Sequence, residues 1–128
     1  MDKRILAVGA FFGMTAVILG AFGAHALKQV LTPHELATFE TGVKYQFYHA
    51  LLLMFVGSGI YVTSRLRKTV FMLLSVGIIL FSGSIYLLAT DALNDFNFKQ
   101  IGFITPIGGL LLIIAWLLLF VDFLRKKS

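Results

Sequence analysis

The sequence predicts an all-α fold: an integral membrane four-helix bundle, residues 1–128 forming a single four-span transmembrane domain with the N and C termini cytoplasmic. Three observations predict it. Hydrophobic residues make up 59% of the 128 positions and charged residues 13%, about half the charged share of an average soluble domain, and the mean hydropathy is +0.91. Four apolar runs, 5–24, 43–63, 69–89 and 105–124, match the roughly 20 residues a helix needs to cross hydrocarbon. The charges are sorted: Lys3, Arg4, Arg65, Arg67, Lys68, Arg125, Lys126 and Lys127 fall on one side, and Lys28, Lys44 and Lys99 on the other. By the positive-inside rule both termini and the second loop are cytoplasmic, and the expected localisation is the cell membrane, multi-pass. Basic groups at span ends are topology signals first, so the +5 net charge does not argue for nucleic acid.

Span one follows MDKR and is too long for the 7–15-residue core typical of a secretory signal, so it reads as a retained helix. Gly9, Gly13, Ala16, Gly20 and Gly23 recur along it at spacings of three and four, a seam of small residues that lets two helix backbones approach closely in lipid. His25 stands at its outer end. Span two is prefaced by Thr32-Pro33-His34-Glu35, a capping box with proline at the first helical position. That start predicts an interfacial turn or two before the chain enters the membrane, with Gly42 as the bend and Glu40 spaced to pair with Lys44. The run then carries Tyr45, Gln46, Tyr48 and His49 into the apolar phase. An ionisable group at the bilayer centre costs roughly 2.5–3.5 kcal/mol on insertion scales, so such residues must face other helices, reach an interface or line a wet cavity.

Span three carries Ser75, Ser82 and Tyr86 on one stripe and Gly77 and Ser84 on the opposite one, which predicts contacts on two sides. In the third loop Phe96, Phe98 and Phe103 are placed to dip into the outer interface. Thr105-Pro106 repeats the cap-plus-proline start ahead of Gly108 and Gly109, and span four continues as leucine and isoleucine around Trp116.

With the termini inside, His25, Tyr45, Gln46, His49, Ser82, Ser84, Tyr86 and Thr105 are expected to converge on the outer leaflet as a polar cluster. That cluster is either glue for the bundle or the lining of a small polar site. The absence of cysteine removes disulfides, thiolate metal ligands and cysteine nucleophiles. No H-E-x-x-H or G-x-S-x-G occurs, so the reading is non-enzymatic, with no catalytic residues, no metal and no cofactor.

Four segments carry a resemblance: GAFGAHAL (20–27), TGVKYQFYHAL (41–51), LFSGSIY (80–86) and TPIGG (105–109). In this order they resemble the domain-of-unknown-function 423 family of small membrane proteins, itself similar to the eukaryotic transmembrane protein 256. The resemblance covers nearly the whole chain, implies a four-span bundle and implies no particular activity. Its pattern carries over onto Gly20, Gly23, His25, Tyr45, Gln46, His49, Ser82, Gly83, Ser84, Tyr86, Thr105, Pro106, Gly108 and Gly109. Ala115 stands where the family is expected to carry glycine, and the Lys44 position looks free to carry the opposite charge.

The expected function is that of a small structural or accessory membrane protein that binds itself, lipid or another membrane protein through the small-residue seam and the polar cluster. The alternative is a small transporter or channel in which His49 and its polar neighbours form a proton or solute site.

Overall fold

The computed structural model describes residues 1–90 and 102–126. Helix α1 spans Lys3–His25, α2 Pro33–Gly57, α3 Ser64–Ala89 and α4 Ile104–Arg125, with one 3-10 turn, Leu27–Gln29, between α1 and α2. Among the described residues there is no strand. The expected interfacial residues Phe96 and Phe98 lie outside the described residues, while Phe103 is exposed immediately before α4.

The helix starts follow local chemistry. The Asp2 carboxylate accepts from the amides of Arg4 and Ile5 at 3.0 and 3.2 Å, satisfying two donors that the first turn leaves without partners. The capping box of α2 is formed in both directions: Glu35 N–H donates to Thr32 Oγ1 at 3.1 Å, and Thr32 N–H donates to the Glu35 carboxylate at 2.8 Å. Two expectations are corrected. Helix α2 continues unbroken through Gly42 because that residue is a point of close approach, where an added Cβ would lie 2.7 Å from the Tyr86 ring and 3.0 Å from Ile85. It also ends at Gly57, so residues 58–63 form the turn into α3, with Gly59 at a positive φ of 74°. Glycine reaches that conformation without the clash a Cβ would bring.

The helices pack in chain order, each antiparallel to the next. Gly9 of α1 lies against Ala50, Leu53 and Met54 of α2, and Gly23 lies against Phe39 at the other end. Gly42 of α2 meets Ile85 and Tyr86 of α3, while Gly77 of α3 meets Leu112 and Gly108 of α4. Gly108 in turn sits directly on the backbone of Phe81. The largest core cluster draws on all four helices, with Ile5, Leu53, Val56, Leu74, Ile78 and Ala115 almost fully buried.

Burial is inverted relative to a soluble domain. Gln46, His49, Ser82 and Ser84 are 5% exposed or less, whereas Phe11, Ile79, Ile113 and Phe120 are 56–63% exposed. Large apolar groups facing outward over long helices are stable in hydrocarbon, where water does not penalise them. Helices α1 (with its 3-10 turn), α3 and α4 are each long and apolar enough to cross a membrane. Helix α2 is as long as these but carries Lys44, Gln46 and His49 along its middle, and it touches each of the other three.

Candidate functional site

Gln46, at mid-length of α2, ties three helices together. Its Nε2 donates to the Phe12 carbonyl at 2.9 Å and to Thr15 Oγ1 at 2.7 Å, both on α1. Its Oε1 accepts from the Tyr86 hydroxyl of α3 at 2.6 Å. The partners fix the orientation of the amide, since a carbonyl can only accept and must face the NH2 end. Thr15 completes the set by donating back to the Phe11 and Phe12 carbonyls of its own helix. One turn away, Ser82 Oγ donates to the Gly42 carbonyl at 2.8 Å, a bond that the missing side chain of Gly42 makes possible.

One turn further along α2, His49 bridges to α4. The Trp116 indole Nε1–H donates to His49 Nε2 at 3.0 Å, and His49 Nδ1 lies 2.7 Å from the Tyr45 carbonyl. An indole N–H only donates and a carbonyl only accepts. Together they specify a neutral imidazole with its proton on Nδ1. Both ring nitrogens are thereby engaged inside the protein. The rings of His49 and Trp116 meet edge to face with centroids 6.0 Å apart.

The remaining expected site residues separate from these two groups. Ser84 Oγ and Thr105 Oγ1 are 2.5 Å apart and form an independent α3–α4 link. Thr105 is therefore not the cap of α4, which begins at Ile104 without a side-chain cap. Its hydroxyl turns sideways to the neighbouring helix, and Pro106 is accommodated because the first turn needs no N–H there. His25 is exposed at the end of α1 and joins none of these bonds. Tyr45 is 42% exposed and packs by its ring, 5.2 Å from Phe81 and 6.2 Å from His49. The eight residues thus form a Gln46–Tyr86–Ser82 group, a His49 group and a Ser84–Thr105 pair, with His25 and the Tyr45 hydroxyl apart.

Thr15 and Trp116 escaped the sequence reading. Thr15 is the one polar side chain in the apolar run 5–24, and Trp116 is the sole tryptophan, set at mid-span when tryptophan ordinarily gathers at the interfaces. Both oddities signalled a buried partner. Among the described residues no three His, Cys, Asp or Glu side chains gather as a metal site requires.

A chain of long helices that buries its amides, hydroxyls and imidazole and turns its large apolar side chains outward is an integral membrane protein, here one with hydrogen-bonded helix contacts at its centre. It belongs to the DUF423 family, described as protein of unknown function, whose pattern matches residues 19–109. It is 43% identical over 117 residues to a UPF0382 membrane protein of Staphylococcus saprophyticus, covering 91% of this chain and 93% of that one. It is 38% identical over 133 residues to a UPF0382 membrane protein of Haemophilus influenzae, covering 100% and 99%. To the UPF0382 inner membrane protein YgdD of Escherichia coli it is 34% identical over 131 residues, covering 98% and 93%. No solved structure matches the chain.

Proposed function

We propose that this chain is a structural or accessory membrane protein, a single four-span domain with both termini cytoplasmic, without enzymatic activity, whose polar residues hold the helices together. Its partners are then membrane lipid, a second copy or another membrane protein. One observation carries the reading: both N–H donors and the carbonyl of Gln46 and both nitrogens of His49 are engaged by Phe12, Thr15, Tyr86, Tyr45 and Trp116. A solute site needs polar groups directed into open space, whereas these bonds are all made to other residues of the protein and join one helix to another or, at Tyr45, stay within α2. The same bonding supports α2 as the fourth span. Its 25 residues extend about 37 Å at 1.5 Å per residue, longer than the roughly 30 Å hydrocarbon core; Gln46 and His49 are buried against the neighbouring helices, while Lys44 is exposed and carries its charge on a long flexible stem.

The test is a flux measurement in proteoliposomes. Wild-type protein and a stably folded His49→Gln variant are expected to give the same background leak of protons and small solutes. A pH-dependent flux in the wild type that disappears in the variant would overturn the structural reading in favour of the relay.

A further inference from the structure

We propose that the cleft between the first turn of α3 and the last turn of α4 is a slot for one anionic phospholipid, with Arg65 and Arg125 holding its headgroup phosphate. The proposal deepens, and rests on, the reading of membrane lipid as a partner. The cleft has a volume of about 290 Å3, and its walls include both arginines while Leu66, Leu118 and Val121 supply an apolar floor.

Asp122 is the carboxylate at this cleft, and it is already occupied. It accepts from the Thr63 amide at 3.1 Å and the Thr63 hydroxyl at 2.6 Å, and it pairs with Lys126 at 3.5 Å. Asp122 of α4 therefore caps the start of α3, locking together the two turns that carry the arginines. Arg67, also in the first turns of α3, is directed to the carbonyls of Gly59 and Val62. Among the described residues the one ion pair is Lys126–Asp122, so with that carboxylate balanced by Lys126, Arg65 and Arg125 leave the cleft with an excess of positive charge.

The cleft carries two exposed guanidinium groups to one carboxylate, and their planar forks match phosphate oxygens. A free phosphate would use the charges and leave the leucine and valine floor uncovered. A phospholipid uses both, with the phosphate on the arginines and the glycerol and upper acyl chain on the floor. Basic pockets between membrane helices recognise anionic headgroups in this way.

The full chain is reconstituted in phosphatidylcholine vesicles carrying spin-labelled phosphatidylglycerol or spin-labelled phosphatidylcholine, and electron paramagnetic resonance reads the motionally restricted fraction of each. Both leaflets carry the label, so the readout is independent of orientation. Arg65→Gln and Arg125→Gln are each expected to lower the preference for phosphatidylglycerol about fivefold, and the double variant about 25-fold. Lys3→Gln/Arg4→Gln, which removes two charges on the same side outside the cleft, is expected to leave it unchanged. If the double variant does not fold, the single variants decide. An equal loss in both double variants, no preference in the wild type, or displacement of the labelled lipid by inorganic phosphate would overturn the slot. None of these outcomes bears on the flux measurement, so the two readings fail separately.

Discussion

Replacing Gln46 with methionine keeps the length and approximate volume of the side chain and removes all of its hydrogen bonds. Three bonds are lost, to Phe12, Thr15 and Tyr86. Interhelical hydrogen bonds in membranes average about 0.6 kcal/mol and reach about 1.7, so the three together contribute about 2 kcal/mol. The carbonyl of Phe12 and the hydroxyl of Thr15 keep each other as partners, and the Tyr86 hydroxyl keeps the Ser82 side chain as a neighbour. The expected destabilisation of Gln46→Met is therefore about 2 kcal/mol, read by reversible unfolding in mixed micelles. A double-mutant cycle with Tyr86→Phe isolates the 2.6 Å bond, and a coupling of about 0.6 kcal/mol or more is expected. Stability of Gln46→Met within about 0.5 kcal/mol of wild type, or a coupling of zero, would refute the view that this amide holds α1, α2 and α3 together.

The small-residue seam of α1 separates into tight and roomy positions. An added Cβ would lie 2.8 Å from Met54 at Gly9 and 2.9 Å from Phe39 at Gly23, but 3.9 Å from Ala50 at Gly13 and 3.4 Å from Val43 at Gly20. Gly9→Ala and Gly23→Ala should each lower stability by about 1–3 kcal/mol, as overpacking does, and Gly13→Ala and Gly20→Ala should be tolerated in the same unfolding assay. Gly108→Ala should be the most damaging of the series, because its Cβ meets the backbone of Phe81, which cannot turn aside. Trp116 is the sole tryptophan and reports directly on its bond to His49. Its emission should shift in His49→Leu and stay close to wild type in His49→Gln, which can still accept from the indole. The native chain has no cysteine, so single cysteines at positions 30 and 66 test the topology. Position 30 should label from outside the cell, and position 66 only after the membrane is opened.

The helical class, the approximate limits of α1, α3 and α4, the capping box of α2 and the residue types of the polar groups were legible in the chain itself. Each depends on composition over a window of residues or on spacing along one helix, and both are local properties. Tertiary structure decided which polar residues meet. Gln46, Thr15 and Tyr86 lie on three different helices, and no spacing within one helix encodes their distance. The same holds for Thr105, whose position ahead of proline suggested a cap, but whose hydroxyl bonds to Ser84 once α3 lies alongside. Gly42 suggested a bend and is a contact, because the demand for a missing Cβ comes from Tyr86 and Ile85 on α3. A polar side chain in an apolar run declares that it needs a partner; only the packing of neighbouring helices determines which partner is within about 3 Å of it.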